Sequence, residues 1–424
     1  MDFCTKYRKF AKYKQRKMKK TYLSIFVLFL VSCFFPSCIE EFRLSKAEEA
    51  DFMPNLVIEG HIMSGDQSVI YVSKTVPIGT VERPESVINA VVTIVGENGY
   101  ATEKAEFEIE YDRYVIPTYN LPANTRYALK VEVDGEIYQS EFQSIQSSNE
   151  IDEFYYKENE NGVDIYISSH GQSNDTPYYM WTYEEDWEIH PEIDITAIKH
   201  GHWDYVKSVY PELAEVMEKG GENPYYNCWG KNYSSLIHIY NTSNLSENTV
   251  KGHKLFTIPL DDNRISFLYS VLIKQTGLTE SSYKHYHTLQ LYSEGSSGLF
   301  TPMPTEVKGN IKCISHPEVK VIGNVIASQV ITRRIFIDAD DLSYKETPSF
   351  CKIEEGIASY PDYTAYTKLC GMWMNKKLEG YFIWNKQYME INAGSLLYSR
   401  PCIDCRSIPY STQNRPDFWP NDHE

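Results

Sequence analysis

LPANTRYALKVEVDGEIYQSEF, residues 121–142, reads as two strands joined at Asp134-Gly135. Leu129, Val131 and Val133 recur at every second position, the spacing that sends successive side chains to opposite faces of a strand. Asp-Gly between two such runs is a hairpin signal, because a two-residue turn demands the positive φ that this pair tolerates. Five further β-rich runs precede it: Leu56 to Ile62, Ser68 to Ser73, Ala90 to Val95, Thr102 to Ile109 and Arg113 to Ile116. Gly65-Asp66 and Gly96-Glu97-Asn98-Gly99 supply turns between them. Seven short strands in about 90 residues predict an immunoglobulin-like β-sandwich over 55–146.

Gln146 to Glu150 (QSSNE) reads as a linker into a second region, 151–424. Val163 to Ile167 and Tyr178 to Tyr183 keep the period-two pattern of half-buried strands, so a larger β-rich domain is expected there. Thirty-four tyrosines and few long helical patterns point to the same mainly β class. Two helical insertions are expected. In YPELAEVMEKGG, Pro211 suits a first turn and Gly220-Gly221 a stop; in LTESSYKHYHTLQLYSEG, Thr279 can cap and Gly295 can end the helix.

Upstream of the first strand, Lys19 and Lys20 precede the apolar stretch Thr21 to Phe35, the layout of a secretory leader that starts at Met18. The stretch is short for a membrane span, which needs about 20 apolar residues. Residues 1–37 are therefore expected to be removed, with 38–54 forming a polar tether. Two cysteines fit a lipobox. Leu30-Val31-Ser32-Cys33 fits better by residue type, but Ile39-Glu40-Glu41 follows Cys38, and an acidic pair there resembles the surface-export signal of Bacteroidota lipoproteins. Cys38 is taken as the lipidated residue, with Cys33 the alternative.

Removing 1–37 takes away nine basic residues and one acidic one, so the formal charge moves from −17 to −25. Such a surface repels nucleic acid, which is excluded as a partner. With Cys38 spent on lipid, the mature chain keeps six further cysteines: Cys228, Cys313, Cys351, Cys370, Cys402 and Cys405. An even number in an exported protein favours disulfides, with 15 possible connectivities.

Several patterns carry chemistry. Cys402-Ile403-Asp404-Cys405 has the spacing of a zinc or redox pair, but no second pair follows and no βαβ context surrounds it, so disulfide pairing is the preferred reading. His200-Gly201-His202 and His285-Tyr286-His287 would share a face on a strand but diverge on a helix, and are read as ordinary histidines. EEDWEIHPEID, residues 184–194, could supply paired carboxylates for glycoside hydrolysis; a solvated acidic face is the expectation. Tyr178, Tyr179, Trp181, Tyr183, Trp187 and Trp203 are candidate binding aromatics, although a sandwich core would use the same residues. Pro416-Asp417-Phe418-Trp419-Pro420 is expected to dock on the body. Cys313 is expected on a loop, where a disulfide could pin the chain. No GxSxG, P-loop, HExxH or Rossmann fingerprint occurs, which moves the reading towards a non-catalytic binding protein with no metal and no cofactor.

LVIEGHI, YSVLIKQTGLTESSY, GLFTPMPTEVKGNIKCISHPEVKVIGNVIAS, RRIFI and CIDCRSIPYSTQNRPDFWP together resemble the Bacteroidota outer-membrane lipoproteins grouped as domain of unknown function 4249. The tail departs from the family pattern in lacking a glycine pair after its C-x-D-C. The resemblance implies a lipid-anchored, surface-exposed outer-membrane protein, often encoded beside TonB-dependent transporters of nutrient uptake, and implies no catalytic residues. The expected function is an accessory or binding protein of such a transporter. The alternatives are a surface glycan hydrolase and a structural or adhesive lipoprotein.

Overall fold

The computed structural model describes residues 52–77, 84–122, 124–172, 175–192, 211, 215, 223–234, 236–294, 307, 309–343, 350–351, 353–354, 381–384, 396–402 and 404–420. The chain divides into two compact units, one of Met1–Pro54 with Thr75–Pro84, the other of Asn55–Lys74 with Glu85–Glu424. Every element below belongs to the second.

Its strands begin with β1 (Leu56–Ser64), β2 (Gln67–Lys74), β3 (Val91–Gly96), β4 (Glu106–Glu108), β5 (Arg113–Pro117), β6 (Arg126–Val133), β7 (Glu136–Ser140) and β8 (Gln143–Ser144). There follow β9 (Glu150–Asn159), β10 (Gly162–His170), β11 (Tyr178–Ile189), β12 (Cys228–Tyr233), β13 (His238–Asn241), β14 (Thr249–Pro259) and β15 (Leu268–Gly277). After helix α1 (Glu280–Glu294) come β16 (Ile311–Cys313), β17 (Val321–Ile322), β18 (Val325–Asp338), β19 (Ile353–Glu354), β20 (Tyr381–Trp384), β21 (Leu396–Ser399) and β22 (Ser411–Thr412). The protein is mainly β, as expected.

The hairpin of 121–142 forms as β6 and β7, with Val133 opposite Glu136 and positive φ at both Asp134 (53°) and Gly135 (84°). Its sheet runs β16-β7-β6-β3 and packs on the β1, β2 and β5 part of an 11-stranded sheet whose main path is β22-β12-β11-β15-β18-β1-β2-β5-β4, with β13 also paired to β11 and β17 to β1. Ile58, Ile70, Val92, Ile94, Leu129 and Val131 fill this first core. Each such fully buried aliphatic side chain contributes roughly 1.5–3 kcal/mol relative to exposure. A second core lies between the sheet β14-β10-β9 and strands β11, β15 and β18, around Ile165, Trp181, Ile258, Tyr269 and Val271. Trp181 is fully buried and its indole N–H donates to Gln275 Oε1 at 2.8 Å.

Segment 55–146 is completed by strands from far along the chain. β16 pairs with β7, and β1 runs parallel to β18 from Gly60↔Val325 to Ser64↔Gln329. Gln146 to Glu150 is pinned where a linker was expected: the Gln146 N–H donates to the Ala327 carbonyl (2.9 Å), the Gln329 N–H donates to the Gln146 carbonyl (2.8 Å), and Asn149 is buried. Strand periodicity carries no information about partners so distant in sequence.

Helix α1 begins where expected, with Thr279 Oγ1 accepting the Ser282 N–H at 3.2 Å. The helix expected over 211–221 lies outside the described residues except for Pro211 and Glu215, both helical. No described helix is long and apolar enough to cross a membrane. Two disulfides, Cys228–Cys405 and Cys351–Cys402, hold the tail. The C-x-x-C cysteines thus form disulfides, but each takes a distant partner. Cys313 corrects two expectations at once. It lies on β16 rather than on a loop, and it is a free, buried thiol beside Ser315 Oγ (3.3 Å) rather than half of a disulfide. Cys370, Cys33 and Cys38 lie outside the described residues.

Candidate functional site

The face of the long sheet turned away from both cores carries side chains from alternate positions: Glu59, His61 and Met63 on β1, Tyr71 on β2, Arg113 on β5, Lys274 on β15, Glu184 on β11 and Tyr233 on β12. These residues, with Tyr286 from α1, line a cavity of about 290 Å³. The sheet curls until its two ends touch. Tyr111, just before β5, meets Tyr233 edge to face with ring centroids 5.3 Å apart. The Arg113 guanidinium lies 4.9 Å from the Tyr111 ring centroid and 5.2 Å from that of Tyr233, and its Nε donates to Glu108 Oε2 at 2.7 Å. A cation held between two ring faces and a carboxylate makes this closure specific as well as attractive.

The cavity's charges are arranged unequally. Lys274 Nζ reaches Glu184 Oε1 at 2.9 Å and Asp66 Oδ2 at 3.3 Å, so two carboxylates neutralise it. His61 shares a 2.7 Å hydrogen bond with Ser328 Oγ. Burial, reinforced by the Lys274 charge, pushes its imidazole down to about 3, so the ring is neutral at physiological pH. Glu59 is exposed on β1 and makes no ion pair with any described residue; partial desolvation at the cavity wall pushes its carboxyl up. The charged groups facing the cavity are therefore matched, except for this one acid.

Within the acidic segment three residues correct the expectation of a solvated face, while Glu192 is exposed and Asp194 lies outside the described residues. Glu185, Asp186 and Glu188 are 1%, 2% and 4% exposed. Glu185 accepts from the Arg264 guanidinium, from Tyr269 Oη at 2.6 Å and from Asn232 Nδ2 at 2.8 Å. Asp186 accepts from Arg334 Nη1 at 3.3 Å, and burial raises its carboxyl against the pull of Lys231 and Arg334. Glu188 accepts the Trp419 indole N–H at 2.6 Å. That bond, together with the Phe418 ring 3.4 Å from the Arg334 guanidinium, docks the tail as expected.

The aromatic candidates are also redistributed. Tyr179, Trp181, Tyr183 and Trp187 are buried in the second core, and Trp181 and Tyr183 also border the cavity. Tyr178 is half-buried and stacks on Tyr283 with centroids 5.0 Å apart. Trp203, His200 and His202 lie outside the described residues. His285 is buried on α1 and His287 is exposed, diverging as a helix requires. No three metal-ligating side chains converge among the described residues. Sequence reasoning missed Glu59, Tyr71 and Arg113. The signal available was their alternation with core positions: Leu56, Ile58 and Gly60 face one way, Val57, Glu59 and His61 the other.

Fold and cavity together define a β-sandwich protein in which one curled sheet is shared by two cores and walls a small charged cavity. Residues 39–334 match the family model "Domain of unknown function (DUF4249)", and the chain belongs to that family. No curated protein matches it. Among solved structures, a two fibronectin type-III domain segment from chicken tenascin is similar at 14% identity over 52% of this chain and 90% of that one, with a TM-score of 0.15.

Proposed function

We propose that this protein is a non-catalytic, lipid-anchored binding protein of the Bacteroidota cell surface, an accessory to a TonB-dependent transporter, and that the curled-sheet cavity receives its cargo. The observation that carries the reading is the cavity itself: about 290 Å³, near the small end of ligand sites, with fixed cations and one unmatched carboxylate. Groups locked in this way can orient a ligand but are poorly placed to exchange protons with it. The address rests on the leader, on Cys38 followed by Glu40 and Glu41, and on the tether before β1.

Glycan hydrolysis by the 184–194 segment is disfavoured by a specific observation. A hydrolase needs two accessible carboxylates across a cleft, whereas Glu185, Asp186 and Glu188 are each buried and engaged by Arg264, Arg334 and Trp419. The test is purification of the tagged protein from its own outer membrane in mild detergent, with mass spectrometry of what remains bound. A TonB-dependent transporter at near-equal stoichiometry is the expected result; a protein that comes off alone from an intact preparation refutes the accessory role. Metabolic lipid labelling of Cys38→Ala and Cys33→Ala variants checks the anchor, with loss of label expected in the first and not in the second.

A further inference from the structure

We infer that the cavity takes a small organic cation, its ammonium group seated on the Glu59 carboxylate and flanked by the rings of Tyr71 and Tyr286. The inference rests on the reading that this cavity is the binding site, and it adds the chemical class of the ligand. Glu59 and Tyr71 stand directly opposite each other in the β1–β2 ladder, where Cβ atoms lie about 4.5–5.5 Å apart. Tyr71 is 46% exposed, so its ring is open to the cavity. Tyr286 descends from α1 close enough that the Glu59 charge adds to the effect of burial in raising its phenol.

Three considerations select a cation. First, both cavity cations are already held, Lys274 by Glu184 and Asp66 and Arg113 by Glu108, so neither is free to receive an anion. Second, Glu59 is the lining carboxylate with no cation partner among the described residues, a negative charge that a positive ligand meets and a neutral polyol does not. Third, aromatic faces beside a carboxylate are the composition that recognises ammonium groups, through the negative potential of the ring face. Lys274 and Arg113 are the lining cations whose fields oppose this ligand, and Glu184 with Asp66 offsets the first while Glu108 offsets the second.

The test titrates choline, and separately its uncharged carbon isostere neohexanol, into the mature full-length chain, with isothermal calorimetry and saturation-transfer NMR as readouts. Choline is expected to bind with a dissociation constant of about 1 mM or tighter, and neohexanol at least about tenfold more weakly. Glu59→Gln keeps the side chain's shape and is expected to weaken choline by about tenfold or more without changing neohexanol. Tyr71→Leu serves as a second variant and should weaken choline selectively. Equal binding of the two probes, or choline binding indifferent to both substitutions, overturns the cation and leaves the cavity as a site for neutral cargo. Failure of both probes overturns the inference, while co-purification with a transporter still decides the accessory role.

Discussion

Replacing Arg264 with methionine removes the cation from a carboxylate that has almost no access to water. Glu185 is 1% exposed and the Arg264 side chain 22%. Breaking a buried ion pair from one side costs about 3–5 kcal/mol, because the surviving charge is left uncompensated. The lower end applies here. Arg264 is partly solvated, and Glu185 keeps two neutral donors, Tyr269 Oη at 2.6 Å and Asn232 Nδ2 at 2.8 Å. The expected loss for Arg264→Met is therefore about 3 kcal/mol. Combining it with Glu185→Gln leaves a neutral amide that still accepts from Tyr269, so the double variant should lose only about 1 kcal/mol, the value of the missing hydrogen bonds. The double variant should thus be about 2 kcal/mol more stable than Arg264→Met alone, and Glu185→Gln alone completes the cycle that gives the coupling. Urea unfolding at neutral pH, with disulfides intact, can be followed by the fluorescence of Trp187, which pairs with Tyr269 across β11 and β15. Equal losses in single and double variants would refute the argument, since they would mean that Glu185 gains nothing from its cation.

Four further outcomes are expected. His61 and His190 are held down to about 3 and about 4 in the folded state, against about 6.5 when unfolded, so their contribution to stability is complete above pH 6.5 and is lost as pH falls towards 4 and below. Unfolding should take up protons in that window, and His61→Gln should lower the uptake by about one proton; an unchanged slope contradicts the neutral buried ring. A methyl at Gly230 would lie 2.2 Å from Trp187 Cε2, so Gly230→Ala should cost about 1–3 kcal/mol and alter the near-ultraviolet dichroism of the indole. Non-reducing peptide mapping should recover Cys228–Cys405 and Cys351–Cys402, with Cys313 alkylated only after denaturation; a 402–405 link contradicts the pairing. A fragment ending at residue 150 lacks both β16 and β18, the partners of β7 and β1, and is expected to show no cooperative unfolding transition by calorimetry.

What could be read in the sequence was local. Asp134-Gly135 announced the β6–β7 hairpin because a two-residue turn admits few residue types, and Thr279 marked the start of α1 because a helix start needs a side-chain acceptor. The acidic segment was misread although its period held the answer. Trp181, Tyr183, Glu185, Trp187 and Ile189 occupy successive same-face positions of β11, so Glu185 stands in a row of core residues and had to be buried. Reading the charges as a group, rather than by alternate positions, concealed this. The distant pairings of β1, β7 and the tail cysteines had no local signature.

The site could be read least because one strand makes it. β18 pairs with β15 antiparallel over Val330–Asp338 and with β1 in parallel over Val325–Gln329, so its 14 residues join two sandwiches into one sheet. Only that junction brings Glu59 and His61 onto the same face as Lys274 and Glu184. Once they share the face, Lys274 finds two carboxylates and Arg113 finds a carboxylate and two rings, as burial of charge requires. Glu59, exposed on β1, has no cation partner among the described residues, so that same junction leaves one carboxylate on the cavity wall free to meet a positive ligand.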